Sequence, residues 1–296
     1  MPGVVPLRPL GLGELLDGAL KIIRRNPRPT LGFSFGIATV LTLIQVGLLV
    51  SSGVPELDTA TGETRGGSSF GDPFSGPNLL QYALGFLFGI VLTGVLVSVV
   101  SRAVLGRQTT VGEAWAAVRS RLGALVGLAV VTTVAILGPV LVTVLLAVVA
   151  GPAGLLLLLA TIPATIYLWV RLAMTAQVLM LEKSGVRTAL ARSAALVHRD
   201  FWRVLGIKLL TLVIVQVVAS ILVIPVTIVF AIALIRNGHF TLGPLIALQV
   251  VSGLARMLTA PYTAGVSALL YVDERMRTEG LDVALQTAAT TGAGPA

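Results

Sequence analysis

The chain has 296 residues, of which 55% are hydrophobic and only 11% charged, and its mean hydropathy is +0.95. A soluble domain carries about a quarter charged residues, so this composition excludes a water-soluble globule and makes lipid the main solvent. The net charge of +8 gathers in particular loops, which points to membrane topology rather than to nucleic acid. The absence of cysteine excludes disulfides, thiolate metal sites and thiol nucleophiles.

Residues 1–12 are rich in Pro and Gly and read as irregular. They lack the charged, apolar and small-residue regions of a cleaved signal peptide, so the first apolar run is expected to direct insertion. A short amphipathic stretch follows from Gly13 to Asn26. At about 100° per residue, Leu15, Leu16, Ala19, Leu20, Ile22 and Ile23 share one face and Glu14, Asp17, Lys21, Arg24 and Arg25 the other. Its acids come early and its bases late, matching the helix dipole. The Asn26-Pro27-Arg28-Pro29 run then ends it.

Six apolar segments follow, at about 30–51, 79–101, 122–149, 153–181, 204–235 and 241–272. Each is long enough to cross a hydrocarbon core of about 30 Å, which needs roughly 20 helical residues. Continuous apolar runs of this length satisfy their backbone in lipid as helices. The outer loop 52–78 carries Glu56, Asp58, Glu63 and Asp72 among Gly, Ser and Pro, and reads as a flexible loop. Residues 281–296, rich in Ala, Thr and Gly, read as a disordered cytoplasmic tail.

Charge sets the orientation. Arg8, Lys21, Arg24, Arg25 and Arg28 precede the first segment. Arg102, Arg107, Arg119 and Arg121 lie between the second and third. Lys183, Arg187, Arg192, Arg199, Arg203 and Lys208 surround the junction of the fourth and fifth, and Arg275 and Arg277 follow the sixth. Only Arg65 and Arg236 fall on the other side. Basic residues accumulate in cytoplasmic loops, so both termini are expected in the cytoplasm. With Arg far commoner than Lys, and Ala, Val, Leu and Gly abundant, the composition suggests a GC-rich bacterial genome and a bacterial plasma membrane.

The basic amphipathic stretch recurs at Gly112–Leu122 and Gly185–Leu205, each time before a pair of apolar runs. The first interval between copies exceeds the second by about the length of the outer loop. The expected architecture is therefore all-α and polytopic. A single transmembrane domain over 1–280 holds three units, about 11–101, 110–181 and 184–279, each an interfacial helix followed by a transmembrane hairpin. Thr110 with Glu113 predicts a capping box, and Ser184 is the expected N-cap of the third copy. There, Val186, Leu190, Ala194, Val197, Phe201 and Val204 share a face opposite Arg187, Arg192, His198, Arg199 and Arg203.

Charges at membrane depth are costly and mark candidate sites. Arg171 lies within the fourth segment and Arg256 near the middle of the sixth, neither with a carboxylate at its own depth. Gln216, Gln249, backbone carbonyls and water are the expected neutral partners of these two. Arg171, Arg256, Arg192, Arg199 and Arg203 are the candidate anion- or lipid-binding residues, because a guanidinium fork pairs well with phosphate. The competing reading makes Arg171 a snorkelling residue, Arg256 a cap for a break near Pro261, and the loop arginines mere topology signals. Glu182, Trp202, Asp273 and Arg277 are candidate structural interface residues. Trp202 suits an interfacial anchor, Asp273 and Arg277 form an i,i+4 pair, and Gly280 suits a C′ cap.

No catalytic constellation emerges. HExxH and phosphate-loop patterns are absent, and His198 and His239 fall on opposite sides, so no metal or cofactor is expected. The run from Arg171 through Glu182, Arg192, Ser193, Arg199, Phe201, Trp202 and Arg203 to Gly206, the ending Tyr271–Gly280, and the opening Glu14–Asp17 resemble bacterial membrane proteins labelled "glycerophosphoryl diester phosphodiesterase membrane domain". The resemblance covers most of the chain and rests on scattered positions. It implies a multi-pass helical module. It does not carry the phosphodiesterase activity, since the catalytic barrel and its metal-binding carboxylates do not occur in these residues. The expected role is a non-enzymatic scaffold or accessory module in contact with membrane lipids, anionic ones included, and with a membrane protein partner. The alternative is a transporter or lipid-handling protein that binds an anionic headgroup or phosphate.

Overall fold

A computed structural model describes residues 10–25, 27–52, 56–57, 64–65, 89, 93–99, 102, 110–150, 152–237 and 241–280. In chain order these form α1 (Leu12–Arg25), α2 (Pro27–Ser52), β1 (Glu56–Leu57), β2 (Thr64–Arg65), α3 (Val111–Arg119), α4 (Leu122–Ala150), α5 (Pro152–Arg171), α6 (Thr175–Leu181), α7 (Val186–Arg199), α8 (Phe201–Asn237) and α9 (Leu242–Glu279). Residues 93–99 are also helical. The remainder of the apolar run expected at 79–101 lies outside the described residues, apart from Gly89, as does the tail 281–296. β1 and β2 pair antiparallel, Glu56 opposite Arg65.

Among the described residues, five helical spans are long and apolar enough to cross a membrane: Thr30–Ser51, Leu122–Val144, Leu159–Leu181 (interrupted at residues 172–174), Phe201–Arg236 and Leu242–Glu279. Their surfaces carry aliphatic side chains such as Val134, Leu159, Ile221 and Ile235 in exposed positions. Such coats are unfavourable in water and suit lipid. At about 1.5 Å per residue the 37 residues of α8 reach roughly 55 Å. That exceeds the hydrocarbon thickness, so part of the helix stands beyond it. Pro139, Pro163, Pro225 and Pro261 all lie inside continuous helices.

The residues group into two compact units. One comprises Met1–Asn26, Thr93–Thr211 and Ala264–Ala296, the other Pro27–Leu92 and Leu212–Thr263. This grouping cuts across the three-unit division read from the sequence, because α1 and α2, neighbours in the chain, fall in different units.

In the first unit α1 packs on the last turns of α9. Gly18 faces Leu269, and Gly265 faces Ala19 so closely that an added Cβ would stand 3.1 Å from the Ala19 Cβ. The buried stripe of α1 is Leu15, Gly18, Ala19 and Ile22. The face expected from periodicity is therefore rotated: Leu20 is exposed, and Gly18 takes its place at the contact. A glycine carries no hydrophobic signal, yet it admits the neighbouring helix. A similar rotation occurs in α7, where Ala189, Ser193, Leu196 and Val197 are buried. At its start Gly185, not Ser184, holds the N-cap position, and no side chain caps it. The Ser184 hydroxyl oxygen is buried without a hydrogen-bond partner. Thr110 and Glu113 form the capping box of α3.

Ser193 explains the rotation. The apolar run expected to be continuous over 153–181 breaks between α5 and α6, at residues 172–174. The Ser193 hydroxyl donates to the Arg171 carbonyl at 2.8 Å and accepts from the Met174 amide at 3.2 Å. One buried side chain on α7 thus supplies partners to the backbone groups that the break leaves open. Arg121 satisfies the far end of α6, donating to the carbonyls of Leu179, Lys183 and Ser184. Lys183, in the left-handed region at φ 51, turns the chain there.

In the second unit α2 meets residues 250–257 of α9 along an apolar groove of about 200 Å³, lined by Phe35, Thr39, Thr42, Val250, Gly253 and Met257. A Cβ at Gly253 would collide with the Thr42 hydroxyl.

Two substitutions test these contacts by thermal unfolding in detergent micelles. Ser193→Ala leaves buried backbone groups unsatisfied and should destabilise by about 1–3 kcal/mol, whereas Thr188→Ala, on the exposed face of α7, should change little. Gly253→Ala should destabilise by about 1–3 kcal/mol through overpacking, and adding Thr42→Ala should recover part of that loss.

Candidate anion-binding site

The charged residues near the ends of α5, α7 and α9 and the start of α8 sort into two groups, one neutralised internally and one open. The neutralised group is built on α9. Asp273 and Glu274 are both 0% exposed. Buried carboxylates need counter-charges and hydrogen bonds. Arg203, in the first turn of α8, supplies both, pairing with Asp273 and donating to Glu274 at 2.9 Å. Arg277 reaches back one turn to Asp273 at 3.1 Å. The Leu10 amide donates to Asp273 at 2.7 Å, and the Leu10 carbonyl accepts from Arg203 and Arg277 at 2.9 and 3.1 Å. The segment just before α1 is thereby clamped onto the end of the last helix.

A second branch continues this group. Tyr271 donates to Glu182 at 2.7 Å. Glu182 accepts from Arg192 at 3.2 Å, and Arg192 also pairs with Glu279. Glu279 in turn holds Arg275 at 2.9 Å. Gly280, at φ 62, takes the left-handed C′ position after α9.

The open group surrounds a cleft of about 440 Å³, lined by Arg171, Arg192, His198, Arg199, Thr278 and Glu279. Arg171, ending α5, donates to the Tyr167 hydroxyl at 2.7 Å and to the Ala194 carbonyl at 3.3 Å. Its guanidinium carbon lies 5.3 Å from the Tyr167 ring centroid. These partners are neutral, and its Nε is buried without a partner. Arg199 and His198, in the last turn of α7, are exposed. An aromatic row runs from Tyr167 to Phe201 to Trp202, successive ring centroids 5.5 Å apart. Trp202 is 80% exposed.

Of the five arginines singled out as anion ligands, the cleft therefore gathers Arg171, Arg192 and Arg199. Arg203 is committed to the buried carboxylates. Arg256 belongs to the other unit, where it donates to the Ser252 carbonyl at 3.2 Å and to Gln45 at 3.1 Å. Its amide partner is thus Gln45, on α2, rather than Gln216 or Gln249. The bonded carbonyl lies one turn back along its own helix, away from Pro261. Of the four candidate interface residues, Glu182, Asp273 and Arg277 sit in the ion-pair group and Trp202 projects outward.

Sequence reasoning missed Leu10 and Ser193. Leu10 contributes its backbone, which no side-chain pattern announces. Ser193 looks like a polar interruption of an amphipathic helix, and only the break in the neighbouring helix gives it a purpose. No family model, curated protein or solved structure matches the chain.

Arg203→Leu removes the main counter-charge of two buried carboxylates and should cost about 3–5 kcal/mol. The midpoint of thermal unfolding in detergent reports it. Arg199→Gln, at the open cleft, should leave that midpoint unchanged.

Proposed function

We propose that the chain is a non-enzymatic, multi-pass protein of a bacterial plasma membrane. Both termini lie in the cytoplasm, and it serves as a scaffold or accessory module for a membrane-associated partner. The observation that carries this reading is the ion-pair group tying the segment before α1, the start of α8 and the end of α9 together. Such a group makes a fixed polar platform at the end of the molecule where basic residues concentrate, the cytoplasmic end by the positive-inside rule. Exposed charges on α7, Arg187 among them, present a face that a partner can meet. The likeness of the Arg171–Gly206 and Tyr271–Gly280 runs to the phosphodiesterase-associated membrane domain supports a role beside such a partner and not the hydrolysis itself.

A second reading, a transporter or lipid-handling protein that binds an anionic headgroup or phosphate, is favoured by one observation. Three candidate arginines converge on a single cleft.

The natural absence of cysteine makes the topology directly testable. With cysteine introduced at Ser68 in the outer loop, a membrane-impermeant maleimide should label intact cells. With cysteine at Ser120, labelling should require permeabilisation, and the reverse pattern would overturn the orientation. A photo-crosslinking residue at Thr188 should then give a discrete adduct with one membrane-associated protein, lost on substitution of neighbouring Arg187. Adducts with lipid alone would favour the second reading over the scaffold.

A further inference from the structure

We propose that the cleft between α5, α7 and the end of α9 binds a phosphate-bearing anion, and that the anion is the headgroup of a membrane lipid. The proposal rests on the second of the two readings above and assigns it a place and a chemistry.

The charge balance of the lining comes first. Glu279 is the one carboxylate among the cleft residues, and Arg192 and Arg275 both engage it. Arg192 is divided between Glu182 and Glu279. Arg171 has neutral partners, and no carboxylate lies against Arg199 among the described residues. The cleft therefore keeps two guanidinium groups whose charge is not cancelled by a neighbour. Two cations facing one opening repel each other, and a shared anion relieves that repulsion.

Donor geometry comes second. The Arg171 Nε is buried and has no acceptor, although its two terminal nitrogens are bonded. Each terminal nitrogen carries a second N–H beyond the bond it makes, and Arg171 lines the cleft. Arg199 and His198 add donors from α7. Several donors lining one cleft suit a tetrahedral group with several acceptor oxygens, which phosphate provides. At about 440 Å³ the cleft holds a phosphate with a small polar substituent.

Depth comes third and separates the two sources of phosphate. Tyr167, Phe201 and Trp202 form a continuous aromatic row that begins at Arg171 and ends at an exposed indole. Exposed Trp and Tyr favour the headgroup level of a bilayer. Arg171 also ends α5, an apolar helix of 20 residues. The mouth of the cleft thus opens at the level of lipid phosphates, where a free anion in solution competes with a far higher local concentration of headgroups.

The test uses the purified full chain in neutral detergent, with three probes. These are micelles doped with phosphatidic acid, micelles doped with phosphatidylcholine, and inorganic phosphate against chloride of equal ionic strength. Binding is read by native mass spectrometry for the lipids and by the shift in thermal midpoint for all three. Phosphatidic acid should bind and raise the midpoint more than phosphatidylcholine does. Arg199→Gln, which disturbs no fold contact, and Arg171→Gln with Arg199→Gln should each weaken that binding, the double variant by at least about tenfold. Arg187→Gln, on α7 but outside the cleft, should bind as the parent does.

Equal losses from Arg187→Gln and Arg199→Gln would reduce the effect to general attraction by a basic helix and overturn the cleft. Phosphatidic acid binding that survives the double variant would leave the lipid-handling reading standing and remove the cleft from it. Binding of inorganic phosphate as strong as that of phosphatidic acid would overturn the headgroup as the source. Binding of neither would overturn both the cleft and the reading it rests on.

Discussion

The structure of the first unit depends on one electrostatic requirement, that Asp273 and Glu274 not be buried alone. Two adjacent carboxylates inside a protein repel each other and lose their hydration. Their neighbours answer most of that requirement, and one Glu274 carboxylate oxygen stays buried without a hydrogen-bond partner. Arg203 opens α8 pointing at them, Arg277 folds back from the next turn, and the backbone of Leu10 completes the set by offering an amide to Asp273 and a carbonyl to the two arginines. Leu10 is chosen as a dipole, not as a side chain. Packing then follows the ionic contact. Once Leu10 is held, α1 lies on α9 through Gly18, Ala19, Gly265 and Leu269.

The same end of the molecule shows how spent and unspent charge are distinguished. Arginine is abundant there, and abundance alone does not tell which arginines have further work. Partners do. Arg203, Arg277 and Arg121 are bonded to buried carboxylates or to open carbonyls, and they hold the fold together. Arg171 and Arg199 form no salt bridge among the described residues and line an opening. Basic residues that look equivalent in a linear sequence therefore divide into structural and available groups according to what their neighbours supply.

How much of this the sequence discloses depends on the kind of interaction. Long apolar runs, the Thr110–Glu113 box, the Asp273–Arg277 spacing and the glycine at 280 are local, and local chemistry is legible in order along the chain. The rest is less so. Periodicity marks amphipathic stretches at Gly13–Asn26 and Gly185–Leu205, where the helices are Leu12–Arg25 and Val186–Arg199, and it places their buried faces only in part. Hydrophobicity is a poor guide to a contact made through Gly18 or through the hydroxyl of Ser193. The break at 172–174 is hidden for the same reason. Its residues are ordinary helix formers, and the hydrogen bonds that allow the break come from another helix. The partner of Arg256 is equally remote in sequence, since Gln45 is on α2. The gathering of Arg171 with Arg199 is half legible, because each stands out by itself while their shared cleft is a product of tertiary structure.

The clamp on Leu10 has a consequence for the order in which the protein is made. The residues it joins stand 263 positions apart, so Leu10 is synthesised long before Asp273. During translation α1 is exposed long before its partner exists, while the helices between are already entering the bilayer. Its apolar stripe must wait at the membrane surface, and lipid is the natural provisional partner for it. The clamp is then a late docking event, in which a segment made early meets one made 263 residues later. Until that meeting, Asp273 lacks the Leu10 amide from which it accepts in the folded chain.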